Sequence, residues 1–255
     1  MTFAVAADSY DKFMGRYSTL LAPQFADLAG VHSGQQVIDV GSGPGALTAE
    51  LVERLGAANV AAVDPSESFV AAARERHPGV DVQESPAETL PFADGMFDAA
   101  LAQLVVHFMA DPVQGLSEMA RVTRAGGVVA ACVWDHAGEQ TPLAPFWKAV
   151  RELDPDEEGE GTFAGAGEGQ LTELFHEAGL REIEETALSI HVDHATFEEW
   201  WDPFTLGVGP AGAYVVGLDP EQQAELRERC RQQLPEAPFT IPAKAWAARG
   251  LDRTP

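Results

Sequence analysis

An α/β fold on a doubly wound, mostly parallel sheet is predicted by three features of the sequence. Short apolar runs alternate with helix-period segments from Val37 to Trp134. The first run feeds straight into the turn Gly41-Ser42-Gly43-Pro44-Gly45, and the second ends on an acidic residue, Asp64. Short links between such elements require parallel strands with right-handed crossovers, which place helices on both faces.

The elements follow in order. Asp8 to Leu28 reads as a helix, with Phe13, Tyr17, Leu21, Phe25 and Leu28 at helical spacings and a break near Gly15. Val37 to Val40 is the first strand, and Ala46 to Leu55 a helix stopped at Gly56. Val60 to Val63 is the second strand, and Glu67 to Arg76 a helix ended by His77-Pro78-Gly79. Val80 to Gln83 and Phe97 to Val105 supply the third and fourth strands. Asp111 caps the next helix with Pro112 in its first turn, and Gly126-Gly127 closes it. Val128 to Trp134 is a fifth strand, apolar throughout as a doubly covered strand should be.

Beyond Trp134 the pattern loosens. Pro142 to Leu153 and Leu171 to Ala178 read as helices, with an acidic, glycine-rich mobile loop between Asp154 and Gly169. Ile183 to Val192 and Phe239 to Ala247 read as two late strands. The stretch between them, about His194 to Pro238, is too long for an ordinary connection. It holds Trp200-Trp201, a Gly/Pro-rich patch from Gly207 to Gly212, and a polar helix from Pro220 to Leu234; a lid, a substrate wall and structural padding all fit. The whole reads as one domain, 1–255, with a helical cap (1–33), a cofactor-binding core (34–135) and a C-terminal half (136–255) carrying the insertion.

With 255 residues, 45% of them hydrophobic, the chain has ample material for such a core. Forty acidic residues against sixteen basic ones give a formal charge of −24, so a phosphate backbone is repelled and nucleic acid is not expected as a partner. Cys132 and Cys230 make no disulfide framework, no apolar run reaches membrane-spanning length, and Met1-Thr2-Phe3-Ala4 lacks a basic leader. A cytoplasmic protein with no membrane partner is expected.

A strand entering a glycine-rich turn lets backbone approach a ligand where side chains would collide, and Gly41, Gly43 and Gly45 clear that approach. Asp64, at the end of the second strand, suits a ribose diol. Gly41, Gly43 and Ala46 also satisfy the dinucleotide pattern, so an NAD(P)-dependent oxidoreductase is a rival. Asp39 argues against it: a carboxylate two residues before the first glycine is unwelcome beside a pyrophosphate and favourable beside a cation. A cap on the glycine turn is its alternative role.

The ordered set Val37–Gly45, Val63-Asp64-Pro65-Ser66, Ala87-Glu88-Thr89-Leu90-Pro91-Phe92 with Phe97-Asp98, and Glu118 through Arg121-Val122 to Gly126-Gly127 resembles the class I S-adenosylmethionine-dependent methyltransferases, in particular the ubiquinone/menaquinone-methyltransferase-like group. Tyr10 to Ser18 is similar to that group's cap over the cofactor. The resemblance implies a seven-stranded sheet with its last strand antiparallel, and S-adenosyl-L-methionine as cofactor, leaving S-adenosyl-L-homocysteine. It implies that the Gly41 and Gly43 backbone, with Ser42 and Gly45 in the same turn, meets the methionine part and Asp64 the ribose. Pro65 and Ser66 would flank the adenine, and Ala87 and Glu88 its edge. Gln103 and Leu104 would lie near the transferred methyl, Tyr10 in the cap, and Arg16 on the methionine carboxylate. Pro86 stands where relatives commonly carry Asp; it offers neither carboxylate nor N–H, so adenine contacts fall to the Ala87 N–H or the Glu88 side chain.

A small-molecule methyltransferase is therefore expected, with a non-catalytic cofactor-binding protein as a second rival. Because the sulfonium methyl is already activated, positioning supplies roughly 7–11 kcal/mol of the barrier. A general base adds roughly 10²–10⁴-fold where the nucleophile must lose a proton. His107, just after the fourth strand, is the candidate base, a packed histidine being its other role. Trp134, Asp135 and His136 end the fifth strand at the same sheet edge, where either contact with substrate or ordinary loop packing is their role. Trp200, Trp201, Phe197 and Phe204 form either an aromatic wall for a flat acceptor or core. His191 and His194 point to opposite faces of a strand and do not chelate a metal together.

Overall fold

The protein is represented by a computed structural model that describes residues 7–252. The helices are α1 (Ala7–Tyr10), α2 (Arg16–Leu28), α3 (Ala46–Leu55), α4 (Glu67–Arg76), α5 (Pro112–Val122), α6 (Ala144–Leu153), α7 (Gln170–Glu177), α8 (Phe197–Trp201), α9 (Gly209–Gly217) and α10 (Pro220–Gln233). The strands are β1 (Val37–Val40), β2 (Val60–Asp64), β3 (Asp81–Glu84), β4 (Phe97–Gln103), β5 (Thr123–Trp134), β6 (Arg181–His194) and β7 (Phe239–Leu251). They form one seven-stranded sheet ordered β3-β2-β1-β4-β5-β7-β6. Strands β1 to β5 pair in parallel, and β7 runs antiparallel to both β5 and β6. The order reverses between β1 and β4, so the carboxyl ends of those strands flank a crevice, the usual ligand position in such sheets.

Differences from the expected boundaries have local causes. The break near Gly15 is a π-turn, Asp11–Gly15, that joins α1 to α2 without ending the helical path. β4 stops at Gln103 because Leu104 adopts φ 62, outside the extended region. α5 ends at Val122, before Gly126-Gly127, because Thr123 already pairs with Phe97; the two glycines form an irregularity inside β5. A Cβ on Gly127 would lie 2.7 Å from the Asp98 carbonyl oxygen. The Gly/Pro-rich patch is largely helical: Pro210 sits in the first turn of α9, where its missing N–H costs nothing.

One face of the sheet packs against α2, α3 and α6, with Leu21, Phe25, Leu51 and Phe146 fully buried. The other packs against α5 and α7 through Leu116, Met119, Leu171 and Phe175. The insertion joins the first face through aromatic rings. Phe204 stacks on Phe146 at 4.6 Å, touches Trp200 at 4.8 Å and meets Phe13 of the cap edge-on at 5.2 Å. Trp200, Trp201, Phe197 and Phe204 are all buried in this cluster, so they are core. Replacing Phe146 by alanine is expected to cost about 3–5 kcal/mol, read from urea unfolding; a loss below about 1 kcal/mol would show that the cluster does not bind the insertion to the sheet.

His194 joins the insertion to the cap. Arg16, which only donates, reaches its Nδ1 at 3.2 Å, which leaves Nε2–H to donate to the Tyr17 hydroxyl at 3.2 Å. His191 is exposed on the opposite face. No metal-binding group of His, Cys, Asp and Glu occurs among the described residues, and no described helix is long and apolar enough to cross a membrane.

Candidate functional site

The glycine turn is built between β1 and α3. The Gly41 and Ser42 N–H groups both donate to the Val63 carbonyl, at 2.8 and 2.9 Å, and the Gly45 N–H to the Ser42 carbonyl at 3.0 Å. All three glycines have positive φ. Only Gly43 opens toward the cap, where a Cβ would come within 3.9 Å of the Tyr10 ring. Gly41 and Gly45 serve packing instead: their added Cβ atoms would lie 2.4 Å from Val105 Cγ1 and 2.6 Å from His77 Nε2. Gly41→Ala is expected to destabilise by about 2 kcal/mol or more from left-handed strain and overlap. Adding Val105→Ala should restore the overlap part alone, so a purely additive double variant in denaturant unfolding would contradict the contact.

Two buried carboxylates lie beside this turn. Asp64 accepts from the Gly43 N–H and the Ser66 N–H, each at 2.8 Å, and burial pushes its carboxyl up to about 6 against those bonds. Capping the turn is therefore the task of Asp64. Asp39 instead accepts from the Thr48 hydroxyl at 2.7 Å, and burial raises it to about 7, with neighbouring Asp64 adding to the rise. Its Oδ1 is buried and has no hydrogen-bond partner among the described residues. Gln103, on the adjacent strand and the same sheet face, donates to the Ser18 carbonyl at 3.1 Å, and its Oε1 is likewise buried without a partner. Two such acceptors at the sheet's carboxyl edge fit an ammonium or sulfonium group. The half-buried Tyr10 lies over them, its hydroxyl raised to about 12 by burial and by Asp64, Asp11 and Asp39.

The other expected site residues are distributed unevenly. Pro65 is exposed beside Ser66, which stands at the N-terminal end of α4 without a side-chain capping bond. Glu88 accepts from the Ala110 and Asp111 N–H groups at 2.7 and 3.1 Å, committing its side chain to the start of α5. The Ala87 backbone remains for an adenine edge, on a segment clamped by Arg121, which donates to the Phe92 and Leu90 carbonyls. Arg16 gives its guanidinium to Glu199 and His194, tying the cap to the insertion. A methionine carboxylate would have to share the guanidinium with these two contacts.

Leu104 also lines a cavity enclosing roughly 430 Å³ of empty space including its mouth. Phe13, Met14, Phe108, Trp134, Leu143 and Val208 make most of it apolar. Its residues with polar groups are Tyr10, His107, Trp134, His136 and Glu160, the Trp134 indole N–H being buried without a partner among the described residues, and no Lys or Arg is among the described residues lining it. Burial holds His107 well below the usual histidine range and takes His136 down to about 4, so both rings are neutral at pH 7. The rings lie 5.8 Å apart, and Phe163 stacks on His107 at 6.0 Å. Asp135 stays outside, paired with Lys244 at 2.7 Å and accepting from the Gly138 N–H.

Glu160 was hidden in the acidic stretch expected to be a mobile loop. That stretch has no helix or strand, yet Glu160 is only 4% exposed. It accepts from the Trp147 indole N–H at 2.7 Å and lies 3.9 Å from His136 Nδ1, and burial pushes it up to about 7. No periodicity marks it in the sequence; its burial depends on a tryptophan and a histidine from other elements.

Comparison with known proteins agrees with this geometry. Residues 38–131 match the family model described as a methyltransferase domain. The chain is 31% identical over 179 residues to a probable S-adenosylmethionine-dependent methyltransferase of Mycolicibacterium smegmatis, covering 67% of this chain and 68% of that one. The chain belongs to the S-adenosylmethionine-dependent methyltransferase family. It is also 35% identical over 120 residues to the demethylmenaquinone methyltransferase of Beutenbergia cavernae, covering 47% of this chain and 48% of the other. The chain spans about half the length of the first curated relatives it matches. The crystal structure of a SAM-dependent methyltransferase from Thermotoga maritima shares the fold, with a TM-score of 0.56 at 19% identity over 96% of this chain and 99% of that one.

Proposed function

We propose that the protein transfers a methyl group from S-adenosyl-L-methionine to a small molecule held in the cavity beside Leu104. The observation that carries this reading is the pair of partnerless buried acceptors, Asp39 Oδ1 and Gln103 Oε1, at a glycine turn that opens next to a mostly apolar cavity. When bound, S-adenosylmethionine supplies an electrophilic methyl on a positively charged sulfur. The Gly41–Gly45 backbone cradles the methionine part while Asp39 and Gln103 take its ammonium. Asp64 has lone pairs left for the ribose hydroxyls after serving Gly43 and Ser66. Pro65 and Ser66 flank the adenine, the Ala87 N–H meets its edge, and Tyr10 covers the turn. Leu104 and His107 face the acceptor.

The charge of −24 supports a small acceptor over nucleic acid, and the buried, unbridged Cys132 and Cys230 suit a reducing cytoplasm. Calorimetry with S-adenosylhomocysteine should show one site per chain, and NAD none. Tight NAD binding with no uptake of the nucleoside would overturn the assignment.

A further inference from the structure

We propose that His136 is the proton acceptor for methylation of a hydroxyl group on an uncharged, largely apolar acceptor, with Glu160 positioning its ring. This rests on the methyl-transfer reading. Nε2 of His136 is buried, lines the cavity wall and has no hydrogen-bond partner among the described residues. The opposite nitrogen, Nδ1, faces Glu160 Oε2 at 3.9 Å, and Trp147 fixes that carboxyl at 2.7 Å. In the proposed tautomer Nδ1, on the side of the acid, carries the proton and Nε2 is bare, able to receive one. His107 also has a buried ring nitrogen, Nδ1, without a partner among the described residues, but no acid stands behind its ring, which stacks on Phe163.

The lining also selects the acceptor. A carboxylate would enter a space that offers no guanidinium or ammonium and places Glu160 in its wall. A cationic amine would gain one acid and lose its hydration against Phe13, Met14, Phe108 and Leu143. A neutral hydroxyl donating to His136 Nε2 satisfies the orphan nitrogen without burying a charge. As its oxygen bonds the methyl carbon, the sulfur–carbon bond breaks with its electron pair staying on sulfur, and the hydroxyl proton passes to Nε2. The positive charge thus moves from sulfur to an imidazolium beside Glu160.

The other titratable groups around His136 are His107, Asp135 paired with Lys244, and Glu139 paired with Arg151 in the adjoining crevice. The test uses the full chain. S-adenosylhomocysteine is titrated first, and its failure to bind would sink the methyl-transfer reading itself. With it bound, 2-naphthol should bind at least tenfold more tightly than 2-naphthoate or 2-(aminomethyl)naphthalene. With S-adenosylmethionine, 2-naphthol should give 2-methoxynaphthalene. His136→Gln should lower kcat roughly 100-fold or more while S-adenosylhomocysteine affinity holds. Glu160→Gln keeps an acceptor for Trp147; it should lower kcat about tenfold at unchanged KM above pH 7, where Glu160 is ionised and offsets the imidazolium, and should abolish the wild type's rise in kcat between about pH 6 and 8. Preference for the naphthoate or the amine, absence of naphthol binding, or methylation indifferent to His136→Gln would each overturn the assignment.

Discussion

Asp64→Ala is expected to weaken S-adenosylhomocysteine binding by roughly 10²–10⁴-fold, the loss of two charge-assisted hydrogen bonds of about 1.5–3 kcal/mol each. The same change strips the acceptor from the Gly43 and Ser66 N–H groups, so the unliganded protein should also lose about 2 kcal/mol or more in urea unfolding. Asp64→Asn should lie between, because an amide presents one acceptor where two donors point. Calorimetry on folded variants separates the two effects; an Asp64→Ala protein with wild-type affinity would remove the carboxylate from the sugar site.

A second large effect concerns pH. Burial pushes Asp39 up to about 7 and Asp64 up to about 6, both above the value of about 3.9 expected in an unfolded chain. Between about pH 4 and 7 the native protein therefore holds protons that the unfolded chain has released. The stability contributed by these two carboxylates should fall as pH rises through that window and level off above it, against the opposite slope of the buried His107 and His136, which only the unfolded chain protonates below about pH 6.5. A bound cation favours the ionised carboxylates, so binding should expel protons, and the affinity for S-adenosylmethionine should climb from pH 5 to 7 before levelling. Asp39→Asn should weaken S-adenosylmethionine by about 10–100-fold near neutral pH, flatten its pH dependence, and make the unliganded protein more stable at pH 8. Affinity measured from pH 5 to 8.5 checks the slope, and a fall with rising pH would contradict the role given to Asp39.

How much of this was legible in the sequence depends on the range of the interactions involved. Helix α3 and strand β1 appear with their observed bounds because glycines at positive φ punctuate both ends of the turn between them. The carboxylates Asp39 and Asp64 stood out because each is an acid inside or at the end of an apolar run. Their division of labour did not: which one caps the turn depends on Thr48, nine residues on from Asp39, and on backbone reached only after folding. The partners of Arg16 and Glu88 were hidden for a similar reason, since Glu199 and the Ala110 N–H reach them from distant parts of the chain. Glu160 left no trace, because an acid in an acidic stretch looks solvated until a tryptophan and a histidine are folded around it.

The position of β7 between β5 and β6 has a consequence for how the chain is made. As the polypeptide leaves the ribosome, β5 emerges early, with Val128–Trp134 almost wholly apolar, yet its eventual neighbour comes only after β6 and the entire insertion. Until then that edge presents bare N–H and C=O groups on a water-avoiding strand, a template for pairing with another nascent chain. Newly synthesised molecules should thus be most prone to clumping in the interval between β6 and β7, and a chaperone that shields exposed strands would help most in that interval.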